Sequence, residues 1–465
     1  MRRITDYIYT QLSGGDNINS DALALILYYK KFLQTYKFLQ KSQWWSKEQI
    51  KTYQLDKLTG LLNHAYQNVP YYRRLFDNEG IKPKDIQNFE DLKKIPYLTK
   101  EIVRKNINDL KATNYPESKF EYITTGGTTG TPLGMYAEKG VWIASEYAFS
   151  KTMLDRVGCS LKNKVVILRS VILPSADKGK FWQYSMLGRC LTLSSYHMSD
   201  QNLPVYVEKI RAYKPRFITT YPSVITILAR YMNKNNIKPF ETLKAIVLGA
   251  ETLYDWQRQL LEETFQCRLI NTYGHAERSG LGCICEKSDY YHFFPEYGIV
   301  ELIGKDNKPV IKENETGEMI VTGFTNFIFP FIRYKTGDIG VYTTKKCICN
   351  RNYPLFKEIK GRTQDYVITK DDKLVSISTL NTHSDVFDNV EQFQFYQEKK
   401  GEVLLYLVKM KTYTKNDTEN IKKNLNEKLG EDFKLSIKFV DKIPRTMRGK
   451  HNYLIQKIPI HIERF

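Results

Sequence analysis

Between Lys119 and residue 265 the chain alternates short β-rich runs with runs of helical period: EYITT, VWIASEYAFSKTML, KVVILRSVIL, PVYVEKIRAY, RFITTY, SVITILARYMNK, LKAIVLG and WQRQLLEETF. A helix that returns the chain to the same end of a sheet places successive strands parallel, so the alternation predicts an α/β sheet layered by helices. Beyond Tyr290 the pattern changes to strands set apart by turn residues, YGIVELI, GEMIVTG, DIGVYTT and DYVIT, which predicts a β-rich subdomain. The C-terminal stretch holds EVLLYLVKM, a helical NDTENIKKNLNEKLG and LSIKFVDKIP, the pattern of a small α+β lid domain. Residues 20–75 space Leu, Tyr and Phe helically around Trp44-Trp45 and lead into NVPYYRRLFDNEGIKPKDI, so packing helices precede the sheet.

At 465 residues the chain needs two or more cores, and 42% hydrophobic with 26% charged residues places it among globular chains, not disordered ones. The formal charge of +19 admits nucleic acid, an anionic membrane face or a phosphate-bearing ligand as partners. The basic residues are spread along the chain and interrupted by acids, which reads as a Lys-rich composition and not as a basic arm. Seven cysteines are an odd number, too few for a disulfide scaffold of this length. The N-terminus lacks the apolar stretch of a signal peptide, and no run is long enough to span a bilayer, so the expectation is a cytoplasmic chain in a reducing compartment with no transmembrane segment.

The most concentrated chemical signal is Thr124-Thr125-Gly126-Gly127-Thr128-Thr129-Gly130-Thr131-Pro132, placed between a predicted strand and a predicted helix that starts near Val141. Glycines let backbone N–H groups approach phosphate oxygens, threonine hydroxyls add donors, and the helix end adds positive potential. It is not a Walker loop, because no Gly-Lys-Ser/Thr follows. Taken alone, such a stretch is a flexible turn.

The rest of the chain decides otherwise. Leu248-Gly249-Ala250-Glu251 is followed by Tyr273-Gly274-His275-Ala276-Glu277, then Tyr334-Lys335-Thr336-Gly337-Asp338, then Gly361-Arg362, then Pro444-Arg445-Thr446-Met447-Arg448-Gly449-Lys450. Together with the Thr/Gly loop, these motifs in this order resemble the adenylate-forming (acyl-AMP synthetase) superfamily. Within it, VPYYRRLF, the Gly-Ala-Glu triplet, Tyr-Pro-Ser at 221–223 and the paired cysteines are similar to the phenylacetate:coenzyme A ligase branch, and the extra N-terminal helices to capsular-polysaccharide-associated CapK-type proteins.

The resemblance implies an N-terminal ATP- and acyl-binding domain over 1–361, a hinge at 362–366 and a mobile C-terminal lid over 367–465. It implies ATP- and magnesium-dependent activation of a carboxylic acid as an acyl-adenylate, with release of pyrophosphate, followed by transfer to an acceptor. Two anions meet in that reaction, so the enzyme must supply positive charge and fixed geometry. By resemblance, Thr125, Gly126, Gly127, Thr128, Thr129, Gly130 and Thr131 hold the β- and γ-phosphates, and Glu277 ligates magnesium. Asp338 takes the ribose hydroxyls, Arg362 reaches ribose or phosphate, and Gly249, Ala250 and Glu251 with Tyr273 and Gly274 form the adenine slot. Lys450 bridges carboxylate and α-phosphate and is, with Glu277, the catalytic residue. Two departures stand out: Gln364, followed by Asp365, sits where relatives carry the Asp or Lys hinge residue, and the phosphate loop reads TTGG where many relatives have a serine before the second glycine.

Cys347-Ile-Cys349 is a tight pair, with Cys283-Ile-Cys285 and His292 upstream. Three thiolates and one imidazole form a common structural zinc set, and the Cys…His…Cys-x-Cys pattern of the resemblance selects Cys285, His292, Cys347 and Cys349 over Cys283. The alternative is unligated cysteines packed on one strand face. Tyr196, His197, Tyr221, Ser223 and His275 are the acyl-pocket candidates, with an ordinary packed aromatic wall as the competing reading. The acid stays unnamed, and the acceptor is open among a coenzyme A thiol, a carrier-protein pantetheine arm and an amine or hydroxyl of a sugar precursor in surface-polysaccharide assembly, the last with peripheral contact to membrane-bound machinery. A homodimer is the common assembly of the relatives. Two other functions compete: a basic, Tyr-rich nucleic-acid-binding protein, for which no compact basic-aromatic platform is present, and a silent scaffold, against which Glu277, Asp338 and Lys450 together argue.

Overall fold

The computed structural model describes residues 22–124, 133–160, 162–169, 179–185, 189–304, 307–362, 366–370, 374–376, 389–429, 433–444 and 451–458, with a few single residues between them. The chain opens with helices α1 (Ala22–Ser42), α2 (Lys47–Asn68), α3 (Pro70–Asn78) and α4 (Lys100–Lys105). Ser46 caps α2 by accepting the Gln49 N–H, while the Gln49 side chain returns the bond to the Ser46 N–H. The helix buries Ile50, Leu58, Leu61, Leu62 and Ala65 along one stripe and stops at Val69, because Pro70 starts the next helix at a position that needs no N–H.

A hairpin, β1 (Phe120–Thr124) with β2 (Gly134–Glu138), leads into α5 (Val141–Arg156). Then come β3 (Val165–Arg169), β4 (Trp182–Tyr184), β5 (Cys190–Ser194), α6 (Leu203–Tyr213), β6 (Phe217–Thr220), α7 (Pro222–Lys234), β7 (Ala245–Gly249), α8 (Asp255–Phe265) and β8 (Arg268–Gly274). The antiparallel strands β9 (Leu281–Ile284), β10 (Tyr291–Phe293), β11 (Gly298–Ile303), β12 (Thr316–Gly323), β13 (Tyr334–Tyr342) and β14 (Leu355–Arg362) follow. All strands from β3 to β14 belong to one 12-stranded sheet, in the order β11-β12-β13-β14-β10-β9-β8-β7-β6-β3-β5-β4. The expected β-rich subdomain is thus the antiparallel half of the same sheet, joined to the parallel half through β9 on β8.

Strands β5, β3, β6, β7 and β8 run parallel. The first four residues of β3 and all of β6 and β7 are buried, as expected for strands covered by helices on both faces. The topology has one reversal. From β3 the chain moves outward to β4 and β5, whereas from β6 it moves the other way to β7, so the connections leaving the adjacent carboxyl ends of β3 and β6 diverge. Such a divergence opens a crevice at the carboxyl edge of a parallel sheet.

The C-terminal domain carries a small pair, β15 (Tyr366–Ile368) with β16 (Leu374–Ser376), and a second sheet of β17 (Val390–Lys399), β18 (Glu402–Lys409), β19 (Lys434–Phe439) and β20 (Leu454–Gln456), ordered β19-β18-β17-β20, with helix α9 (Lys415–Leu429) packed on it. Its core of Phe393, Phe395, Leu405, Leu407, Ile421 and Leu425 extends to Tyr254 and Trp256 at the start of α8, which meet Tyr453 edge-on.

Candidate functional site

Three of the predicted groups lie at the carboxyl ends of parallel strands: Tyr221 and Ser223 after β6, Gly249 to Glu251 at the end of β7, and Tyr273 to Glu277 at the end of β8. Glu277 follows β8 in a tight loop and is buried. Its Oε2 lies 3.2 Å from His275 Nδ1, and its Oε1 accepts the Tyr334 hydroxyl at 2.7 Å. Burial pushes this carboxyl up, but the bonds from His275 and Tyr334 outweigh it and pull the group down to about 2. Glu277 is therefore an ionised, oriented oxygen ligand of the kind a hard divalent cation takes.

Asp338, in β13, is likewise buried, and its Oδ2 accepts the Tyr273 hydroxyl at 2.7 Å. Gly337 precedes it at φ +79°, a left-handed conformation that a side chain would strain, beside a β-bulge between Glu318 and Ile320. Tyr273 and Asp338, expected in the adenine slot and at the ribose, are thus joined by one hydrogen bond. Asp338 faces Arg362 in register across β13 and β14, which brings those two sequence motifs together at the backbone.

At the end of β7, a Cβ on Gly249 would meet Thr272 Oγ1 at 2.4 Å, and Ala250 adopts φ +65°. The turn aims Glu251 at the first turn of α7, where its two oxygens accept the Ser223 N–H at 2.9 Å and the Ser223 hydroxyl at 3.0 Å. Glu251 and Ser223, assigned by sequence to nucleotide and acyl pockets, therefore cap a helix, the carboxylate sitting where the helix dipole favours it. Tyr221 stands just before that helix. His197 stacks on Phe181 with ring centroids 6.0 Å apart and meets Ser194 Oγ through Nδ1 at 3.1 Å, an ordinary packed histidine, and Tyr196 is exposed.

Residues 125–132, with the predicted phosphate donors, lie outside the described residues, as do Lys450, Gln364, Asp365 and the Arg362 side chain. The flanks of the loop differ from expectation. Thr124 pairs with Gly134, so the loop connects two antiparallel strands, and α5 begins only after β2.

Sequence reasoning missed three residues here. Tyr334 was visible as part of a motif, but its role as donor to Glu277 was not. Arg169 ends β3 and carries its guanidinium 5.3 Å from the centre of the Tyr221 ring. Arg278, directly after Glu277, lies over the Trp142 indole at 3.5 Å.

A second cluster lies on the antiparallel half. Cys285, His292, Cys347 and Cys349 place their ligand atoms within 4.8 Å of one another, all four residues buried. Cys285 Sγ is 3.5 Å from Cys347 Sγ, and Cys349 Sγ is 3.2 Å from His292 Nε2. The Cys285 thiol is raised by burial but drawn down to about 6 chiefly by His292, and His292, which burial alone would lower, is drawn up to about 9 by the thiols. His292 Nδ1 points at the Tyr290 carbonyl at 2.9 Å, which fixes the proton there and leaves Nε2 for a metal. Bonds of about 2.3 Å to sulfur put tetrahedral thiolates just under about 4 Å apart, so the set fits zinc. Cys283 sits instead beside Arg156 Nη1 at 3.6 Å.

The AMP-binding enzyme family matches residues 54–327, and the CapK C-terminal domain matches residues 367–457. Protein CapK of Staphylococcus aureus is 28% identical over 85% of this chain and 87% of its own length. A phenylacetate-coenzyme A ligase of Thermus thermophilus is 27% identical over 70% of this chain and 73% of its own. Among solved structures, a 2-hydroxyisobutyryl-CoA ligase in the postadenylation state superposes with a TM-score of 0.69 at 16% identity, over 90% of this chain and 93% of that one.

Proposed function

This chain belongs to the AMP-binding enzyme family, and from that premise we propose that it activates a carboxylic acid with ATP and magnesium, releasing pyrophosphate, and passes the acyl group from AMP to a thiol, that of coenzyme A. One observation carries the reading. Glu277, ionised by its two hydrogen bonds, follows the carboxyl end of β8, and Tyr273 of that same strand holds Asp338.

In this proposal Glu277 holds magnesium, which neutralises phosphate charge when bound, and Asp338 takes the ribose hydroxyls. Residues 125–131 wrap the phosphates and Lys450 meets the carboxylate and α-phosphate. The phenylacetate-coenzyme A ligase relatives support coenzyme A as acceptor. Cys285, His292, Cys347 and Cys349 hold a structural zinc that pins β9, β10 and the 347–349 turn together. No helix among the described residues is long and apolar enough to cross a membrane, and no two of the seven cysteines are joined by a disulfide.

The test is acid-dependent release of pyrophosphate from ATP over a panel of acids, followed by chase of the adenylate with coenzyme A or with amino and hydroxyl sugars. Thioester formation supports the proposed acceptor; an acylated sugar without thioester contradicts it.

A further inference from the structure

Arg169 closes β3 at the point where the connections of β3 and β6 diverge, the position at which open parallel sheets receive ligands. Its surroundings are unusual for a cation. Nη2 donates to Thr219 Oγ1 of β6 at 3.1 Å, and the guanidinium lies over the Tyr221 ring. Nε is shielded from solvent and has no hydrogen-bond partner. Among the described residues no carboxylate forms an ion pair with it, and burial works against its charge. Its in-register neighbour on the other side is Ser194 of β5, which turns to His197.

Arg169 is half-buried, with its Nε shielded; a cation withdrawn from water to that extent is ordinarily paired, because an uncompensated one forfeits hydration without return. The structural helpers present, a hydroxyl and a ring face, orient the guanidinium without neutralising it. A planar fork so held presents parallel donors to a carboxylate.

Resting on the adenylation reading above, we propose that Arg169 is a specificity-determining residue that grips a second negatively charged group on the acid to be activated, so that the substrate is a dianionic acid, in its simplest form a dicarboxylate. The carboxylate that reacts belongs beside Glu277, beyond β8, three strands from β3, which is about 14 Å at the usual strand spacing. An extended diacid spans that separation better than a malonate-like one.

The experiment compares α,ω-dicarboxylates of increasing chain length with their monomethyl esters, which keep one carboxylate and the same length. Pyrophosphate release gives kcat/KM for each, and calorimetry without ATP gives direct binding. The wild type should favour at least one diacid over its monoester by about a hundredfold or more. Arg169→Met should collapse that ratio toward unity, and Arg169→Lys, which keeps charge without the fork, should fall between. Circular dichroism confirms that each variant folds.

The proposal is overturned if the wild type favours the monoesters, or if Arg169→Met reduces diacid and monoester equally, which would place the guanidinium on the reacting carboxylate or the nucleotide. Should no acid release pyrophosphate, the adenylation reading fails, and calorimetry still decides this one: diacid binding lost in Arg169→Met upholds the anion site, and diacid binding that is absent or independent of Arg169 removes it.

Discussion

Removing one oxygen from Tyr334 tests how the candidate site holds its central carboxylate. The Tyr334 hydroxyl donates to Glu277 Oε1 at 2.7 Å, and its ring packs edge-on to Phe331 with centroids 5.0 Å apart, so Tyr334→Phe keeps the packing and deletes the bond. In the folded protein Glu277 is drawn from the ordinary 4.5 to about 2. That shift corresponds to about 3 kcal/mol of stability. The sign follows from the direction: a depressed carboxyl stabilises the fold above its unfolded pKa and loses that contribution as pH falls through its folded one, here between about pH 5 and about pH 2.

A buried hydrogen bond to a charged group contributes about 1.5–3 kcal/mol, so the variant should lose about 2 kcal/mol at pH 7. Its Glu277 pKa should rise by one to two units, at about 1.4 kcal/mol per unit. Urea unfolding at pH 7 and at pH 3.5 measures the difference: the gap between wild type and variant should narrow at the lower pH. Magnesium dependence of pyrophosphate release should weaken by about 10–100-fold, as for other supports of metal ligands. A gap of equal size at both pH values would show that Tyr334 acts through packing alone, and the argument for a hydrogen-bonded, ionised Glu277 would fail.

Three further outcomes follow from the geometry. Protein purified without chelator should carry one zinc per chain by plasma emission, and Cys349→Ser should lower both the zinc content and the melting temperature; an unchanged thermal midpoint after complete metal removal contradicts a structural metal. Gly249→Ala should cost about 1–3 kcal/mol by chemical denaturation, because its Cβ would press on Thr272 Oγ1, itself bonded to the Leu248 carbonyl. Ser223→Ala should cost about 1 kcal/mol by loss of its hydroxyl bond to Glu251, and Glu251→Ala should cost more, since it also takes the acceptor from the Ser223 N–H; a double-mutant cycle should show that the two losses overlap in the hydroxyl bond alone.

Much of this architecture was legible because the parallel strands are short apolar runs buried on both faces, as in Val165–Leu168 and Ala245–Gly249, and because the helices between them carry a clear stripe. The strand Gly134–Glu138 was not legible: GMYAE has neither a sustained apolar run nor β-branched residues, and it exists through pairing with Phe120–Thr124. Joining both halves into one sheet required the contacts of β9 with β8 and of β10 with β14, which no local pattern encodes. At the site, the Glu277 and Asp338 motifs were readable, but their supports, Tyr334 and Tyr273, act across 57 and 65 residues of sequence. Glu251 shows the converse, a motif residue whose carboxylate serves a helix start. Arg169 carries no sequence signal of its own at the end of KVVILR; only the order of the strands puts it where the connections of β3 and β6 diverge.

The central claim is adenylation, and acid-dependent exchange of labelled pyrophosphate into ATP measures it most directly. The account predicts exchange with magnesium and one class of acid in the wild type, abolished in Lys450→Ala and reduced at least about a hundredfold in Glu277→Gln. Exchange that persists in both variants would contradict the roles assigned here, and nucleotide binding without exchange across a broad acid panel would contradict adenylation itself.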